Sequence, residues 1–532
     1  MVSMTRVQPG HVTLIAAGSA NPDLLPLRAI RLLQRARHVI ADLDAVKLAE
    51  GLVHPASEVE VAVDQSGLPL EQATKSKTIV DRAKTGVDVV VLLAGDPVLN
   101  GSFAREVHSL TKAKLSFDFI PAPSTLTATA GFAGIGLFGG KSNEVRIFDL
   151  SQGDIDYSSV ADSKSTLVIL HAAERANEIA KGLLKAGRAE ETPIMIVRDG
   201  ATVDQRSIVS TLIDLPSVLK THKVTGDGMV FVGDVVAKRN ALSWFEAKPL
   251  FGWRILVPRT KDILGPAIDF LVEVGATVTE VPTVTVEQPR TPQQMERAVH
   301  SLVSGRFAWI IYTSHNSVRA VWERCLEYGL DARAFAGLKI AATGEGTVKE
   351  LEKYGIKPDL EIDEELPTSA ILDVFPEFDD ILDPLNRIFI PRADIATGSL
   401  SAGLVELGWE VEDVTAYRTV RAAPPAADIR DAIKTGGYDA VLFTSASTVR
   451  NLVGIAGKPH PGTVIACIGP QTAKTCEEHG LRVDVLAPEP TVDVLVDSLI
   501  SHGAALRDTA IEQGEFTWRP SRRRNTVRRK VT

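Results

Sequence analysis

The sequence predicts an α/β protein in two halves, the second built from two duplicated parallel α/β lobes joined by a two-strand hinge. Three observations predict it. Short β-branched runs alternate with helical patterns that end in glycine, the signature of βα units on a parallel sheet. The stretch "WRILVPRTKDILGPAIDFLVEVGATVTEVPTV" (253–284) is echoed by "NRIFIPRADIATGSLSAGLVELGWEVEDVTAY" (386–417), in a register that keeps Arg254/Arg387, Pro258/Pro391, Arg259/Arg392, Leu271/Leu404 and Gly275/Gly408. Two extended, β-rich segments ending in proline, "VPTVTVEQP" (281–289) and "VTAYRTVRAAPP" (414–425), sit where the chain must leave one lobe and return to it.

Taken in order, the second half starts after a seam at "ALSWFEAKPLFGW" (241–253). Lobe 1 is expected over 252–281 plus 422–502, lobe 2 over 290–413, and the hinge strands over 282–289 and 414–421. Each lobe carries a strand, a Thr-Ser turn and a helix opening on Val-Arg: "WIIYTSHNSVRAV" (309–321) and "DAVLFTSASTVRNL" (439–452). A third matched pair closes each copy, "LKIAATGEGTVKELEKYGI" (338–356) and "TVIACIGPQTAKTCEEHGL" (463–481).

Ligands of open parallel sheets bind outside the carboxyl ends of the strands. Thr313, Ser314 and Asn316, Thr343, Gly344 and Thr347, Thr444 and Ser445, and Gly469 and Thr472 all fall there, just before helices. Ser, Thr and Asn cap a helix, while the free N–H groups of its first turn and its dipole favour an anion. One such turn is an ordinary cap. Four on one cleft point to a polyanionic ligand, with Arg392 as a further candidate.

Bulk properties are those of a soluble globular protein and argue against other classes. The 532 residues are 45% hydrophobic and 23% charged, enough for three or four core-forming units. No apolar run reaches membrane length, and the opening "MVSMTRVQPGHVTLI" lacks a signal-peptide pattern, so a cytoplasmic protein is expected. Cys325, Cys467 and Cys476 have neither disulfide-framework nor metal-ligand spacing, and no metal site is expected. Net charge is −9. From Ser501 onward eight Lys/Arg face three Asp/Glu, a surplus of five that leaves −14 for residues 1–500. So acidic a body argues against a nucleic-acid partner. Residues 506–532 are expected to form a disordered basic tail.

The second half, across roughly 251–505, resembles the uroporphyrinogen-III synthase family, on "GWRILVPR", "VGATVTEVPTVTVEQP", "IIYTSHNSVRAV", "AYRTV" and "VLFTSASTVRN" in that order. The resemblance implies a cofactor-free closure of the linear tetrapyrrole hydroxymethylbilane, with inversion of the last ring and loss of water. Its many carboxylates suit repeated anion cradles. The resemblance also implies that Tyr417, in the "YR" of the returning linker, is the acid for the leaving hydroxyl. A non-catalytic two-lobed tetrapyrrole-binding protein is the alternative of a different class.

Residues 10–245 are similar to the tetrapyrrole methylases, of which uroporphyrinogen-III C-methyltransferase is the nearest type, on "HVTLIAAGSANPDLLPLRAIRLLQRARHVIADLDA" (11–45), "VVVLLAGDPVLNG" (89–101), "IPAPSTLTATAGFAGIGL" (120–137) and "DGATVDQRSIVSTLIDL" (199–215). That family has two α/β subdomains, commonly dimerises and uses S-adenosylmethionine; its cofactor-site positions would map to Gly18, Asp42, Gly95, Asp96, Pro97, Ser124, Thr125 and Gly200, with Asp42 where the family has its proton-accepting Asp. This sequence departs from the pattern. The glycine-rich opening loop reads Gly18-Ser19-Ala20-Asn21, the expected lysine is Asp64, Val91 and Leu93 replace Arg and Lys, and His171 replaces a Met. The expectation is a methylase-like domain that has lost or altered methyl transfer, with a bifunctional enzyme as the alternative.

Overall fold

The structure is a computed structural model that describes residues 8–140, 142–161, 164–222, 224–259, 265–362, 368–394, 398–513 and 519–521. The chain forms two compact units, one made chiefly of the residues up to Trp253 and the other chiefly of Val278–His502.

The first unit holds two five-stranded sheets. One is wholly parallel, in the spatial order Glu58–Val61, His38–Ala41, Val89–Leu93, Val12–Ala16, Phe117–Ile120. Its two central strands, Val89–Leu93 and Val12–Ala16, are buried at every residue and apolar except at Thr13, as befits strands covered on both faces. Val91 and Leu93, where the methylase pattern has Arg and Lys, are core residues with no exposure. The other sheet runs Glu144–Asp149, Ser165–Leu170, Met229–Val232, Pro193–Arg198, Arg206–Thr211. It is mixed: Met229–Val232 lies antiparallel to both neighbours, so βα alternation gives way to hairpin-like pairing.

In the second unit the duplication becomes two sheets. One has the order Thr277–Pro282, Arg254–Arg259, Ala440–Phe443, Val464–Cys467, Val485–Leu486. The other has the order Val284–Glu287, Glu410–Arg421, Arg387–Ala393, Trp309–Tyr312, Lys339–Thr343, Leu360–Ile362. The latter is parallel except for Val284–Glu287, which pairs antiparallel with the end of Glu410–Arg421. Those two strands are the hinge.

Two expected boundaries move. The break at 413/414 is absent, because Glu410–Arg421 is one continuous twelve-residue strand. The tail begins later than 506, because the helix Val492–Glu512 continues through it. Residues 519–521 are also packed rather than loose: Arg519 is buried and the Ser521 N–H donates to Asp439 at 2.7 Å. The basic residues at 522–530 lie outside the described residues.

Among the described residues, no helix is long and apolar enough to cross a membrane. None of their His, Cys, Asp and Glu side chains group in threes to hold a metal.

Candidate active site

Tyr417 owes its position to a fault in a ladder. Arg392 pairs with Thr415, but Ala393 pairs with Tyr417, so Ala416 is an extra residue in its strand. A bulge of this kind re-aims side chains. Val414 and Ala416 face one core by normal alternation, and the bulge turns Tyr417 to that same core. Tyr417 is buried, and its hydroxyl lies 2.9 Å from Ser314 Oγ. Burial raises its pKa above the ordinary 10.0, the Ser314 hydrogen bond pulls it down, and the nearby Asp394 carboxylate adds to the rise. The phenol therefore keeps its proton through neutral pH.

Ser314 is the cap of the helix His315–Glu327 and accepts the Ser317 N–H at 3.2 Å. Asn316, Arg319 and Tyr417 share a cavity of about 290 Å³ that also touches the hinge at Val286 and Glu287. Sequence reasoning missed Arg319 and its support. Glu350, 4% exposed, receives both arms of Arg319 at 2.9 and 3.0 Å, Lys353 at 2.9 Å and the Tyr354 hydroxyl at 3.0 Å. These donors hold the Glu350 carboxyl down at about 2. Arg319 stands inside the repeated Val-Arg motif, with Arg450 as its copy, so that repeat was a signal available in the sequence.

The remaining expected residues are placed as follows. Thr313 follows the strand Trp309–Tyr312 directly. Thr343 ends the strand Lys339–Thr343, with a long 3.5 Å hydrogen bond to the Tyr312 carbonyl. Gly344 caps the next helix at φ +81°, and Thr347 is buried in that helix. Thr444, Ser445, Gly469 and Thr472 occupy matching strand ends on the other sheet, with Thr472 buried. Arg392, expected to meet a carboxylate of the ligand, already has a carboxylate partner in the protein. It is paired with Asp413 on the adjacent strand and donates to the Ala393 carbonyl at 3.2 Å.

The first unit has a larger cavity, about 510 Å³, which gathers Gly18, Gly95, Asp96, Thr125 and Gly200. Pro97 and Ser124 adjoin it in sequence. Asp42 stands off it: its carboxylate takes the buried Lys75 at 2.9 Å and the Ala94 N–H at 3.0 Å. Asp64 closes its own turn, accepting the Ser66 and Leu68 N–H groups. Ala20, His171 and Asp199 line the cavity with positive φ of 58°, 53° and 50°, and Ala201 follows at 61°. These conformations favour glycine and, among other residues, Asn, Asp and His, so the cavity is framed by left-handed turns at non-glycine positions. The lining carries Asp44, Asp96, Asp149, Asp199 and Asp227, with His171 held by Asp227 at 2.7 Å, and among the described residues it includes neither Lys nor Arg. Such a wall suits cationic and hydroxyl groups and repels a polycarboxylate.

Comparison with known proteins finds a separate family match for each half of the chain. Residues 269–497 match the family described as Uroporphyrinogen-III synthase HemD, and residues 11–216 match the Tetrapyrrole (Corrin/Porphyrin) Methylases. The porphyrin biosynthesis protein HemD of Ruminiclostridium josui is 26% identical over 514 residues, 93% of this chain and 99% of that one. The chain thus carries a domain that matches the tetrapyrrole methylases, followed by one that matches uroporphyrinogen-III synthase.

The methylase domain is also similar to the siroheme synthase of Pseudomonas fluorescens Pf0-1, 35% identical over 246 residues. That match takes in 45% of this chain and about half, 53%, of the relative. A solved mutant uroporphyrinogen III synthase from Thermus thermophilus is 20% identical over 48% of this chain and 99% of that one, with a TM-score of 0.31. Tyr417, Ser314 and Glu350 all fall within the synthase domain, which places the chain in tetrapyrrole biosynthesis.

Proposed function

We propose that the synthase domain closes hydroxymethylbilane to uroporphyrinogen III, with Tyr417 as the acid. The observation that carries this reading is the bulge-placed phenol, protonated at neutral pH and hydrogen-bonded to the cap of a strand-end helix. Departure of the terminal hydroxyl breaks a C–O bond whose electron pair leaves with oxygen, while pyrrole nitrogen electrons fill the vacated carbon. Tyr417 gives its proton to that oxygen, and water forms. The vacated carbon bonds to the substituted α-carbon of the last ring to give a spiro intermediate. The bond from that α-carbon to its old bridge then breaks, and the bridge rebonds to the ring's free α-carbon, whose released proton restores the phenol. The protein otherwise holds the chain of rings in place, and positioning supplies much of the rate. The strand-end turns on the two sheets would hold the carboxylates through helix N–H groups.

The full chain, given hydroxymethylbilane, is expected to yield the type III isomer. Only the spontaneous type I isomer would favour the non-catalytic binding protein. Tyr417→Phe should lower kcat by about one to two orders of magnitude, at the modest end for a general acid, and leave KM nearly unchanged. Unchanged kcat removes the assignment. Wild-type kcat should hold through neutral pH and fall on the alkaline side, above the ordinary phenol value.

For the methylase domain we propose binding without methyl transfer. The acid-lined cavity fits S-adenosylmethionine, which carries sulfonium, ammonium and ribose hydroxyl groups. Asp96, Asp199 and Asp227 would face those groups, and Gly18, Gly95 and Gly200 would let the ligand approach the backbone. When bound, that cofactor supplies an electrophilic methyl group. Asp42, which the family resemblance makes the proton acceptor, is instead committed to Lys75.

A further inference from the structure

The duplicated Thr-Ser turns use their cap hydroxyls differently. On the turn of Thr444 and Ser445, Ser445 and Thr448 form a reciprocal capping box, with each side-chain oxygen accepting the other's N–H at 3.3 Å. Ser445 Oγ also lies 2.8 Å from Ser447 Oγ, so that hydroxyl is engaged within its own turn. On the turn of Thr313 and Ser314 the counterpart of Thr448 is Ser317. Its N–H donates to Ser314 Oγ at 3.2 Å, and its hydroxyl donates to the Ser314 carbonyl at 2.6 Å, as the Thr448 hydroxyl does to the Ser445 carbonyl. The partner of Ser314 Oγ beyond the turn is Tyr417, 2.9 Å away on another strand. The copies diverged where one of them meets the hinge tyrosine.

We propose that Ser314 is a positioning residue that acts through Tyr417, donating its hydroxyl hydrogen to the phenol oxygen. Direction follows from the cap. Ser314 Oγ already accepts a helix N–H, which makes its own O–H a better donor and leaves it a poorer acceptor for the phenol. With its oxygen occupied by Ser314, the phenol directs its hydrogen elsewhere, toward the cavity that Tyr417 lines with Asn316. When that proton passes to the leaving hydroxyl, the phenolate left behind keeps the Ser314 hydrogen bond. It also sits beside the positive end of the helix His315–Glu327. Ser314 thus favours the charged state that forms during the reaction over the neutral one that precedes it.

This inference rests on Tyr417 being the acid, and the experiment separates the two ideas. In the full chain, Ser314→Ala, Ser314→Thr, Tyr417→Phe and the double variant Ser314→Ala/Tyr417→Phe are assayed with hydroxymethylbilane. Ser314→Ala is expected to lower kcat about tenfold with KM nearly unchanged, a magnitude in keeping with loss of one preorganised hydrogen bond. Ser314→Thr keeps the hydroxyl and the cap, so it should recover most of the turnover. In the Tyr417→Phe background, Ser314→Ala should have no further effect, because the group it serves is gone. A full additional loss there, or a rise in KM alone, overturns the proposal and makes Ser314 a direct substrate contact. Tyr417→Phe with full turnover removes the acid and this inference together. Thermal melting of each variant separates loss of the cap from loss of function.

Discussion

At the residue scale, Glu350 shows how burial and pairing together become a pH dependence. Its carboxyl is nearly enclosed and receives Arg319, Lys353 and Tyr354. It is held at about 2, against an ordinary 4.5. A carboxyl depressed on folding contributes stability that is fully present above its unfolded value, and that is lost as pH falls toward its folded one. The synthase domain should therefore lose up to about 3 kcal/mol from this group between pH 4.5 and about 2. Melting temperature followed across that range should fall, and Glu350→Gln should be less stable at neutral pH with a flatter acid limb. An unchanged acid limb in Glu350→Gln would contradict this account. Tyr417 was legible in the sequence because it sits in a recognisable linker motif. Glu350 was not, because its register partner in the other copy is Thr475 and it lies in a helix that reads as a solvated face. The ion pair of Arg392 was hidden for a related reason: Asp413 reaches it across a ladder, and ladder register is absent from a linear pattern.

At the element scale, the twelve-residue strand Glu410–Arg421 carries both a missed boundary and the site. Glu412 and Asp413 look like loop residues in sequence, yet Arg387 and Arg392 neutralise them from the neighbouring strand. That pairing lets the strand run unbroken from lobe into hinge. The bulge at Ala416 is then the device that brings Tyr417 to Ser314. Deletion of Ala416 should restore a regular ladder in which Tyr417 still pairs with Ala393, but remove the local bend and twist with which the bulge aims its side chain. Its hydroxyl would then miss Ser314. The expected result is a folded protein with a cooperative melt and a loss of turnover at least as large as that of Tyr417→Phe. Retained turnover would mean that the bulge has no part in aiming the phenol. The βα alternation itself was readable, since period and glycine stops are local properties. The bulge was not, because an extra residue shows only against the strand it pairs with.

At the scale of the whole molecule, the duplication and the two halves were plain in the sequence, while the character of the methylase cavity needed the fold. Its acidic lining is drawn from both sheets of the first unit, and the side chains are far apart in sequence, from Asp44 to Asp227. Substitution of glycines and basic residues suggested a dead site. The backbone nonetheless keeps left-handed turns at Ala20, His171 and Asp199 around a cavity of about 510 Å³. Retained shape with a committed Asp42 separates binding from transfer, and the two can be measured apart. Calorimetry of the full chain with S-adenosylmethionine should give binding in the micromolar range, weakened by Gly200→Ala. A Cβ at Gly200 would come within 2.3 Å of the Thr129 hydroxyl and push that cavity wall aside. Hydroxymethylbilane supplied with S-adenosylmethionine should still give the unmethylated type III product, resolved by isomer and by mass. Methylated product would make the chain a bifunctional enzyme and would require Asp42 to leave Lys75 during turnover. Absence of both binding and methylation would reduce the methylase domain to a scaffold, with its strained turns left over from a shape no longer used.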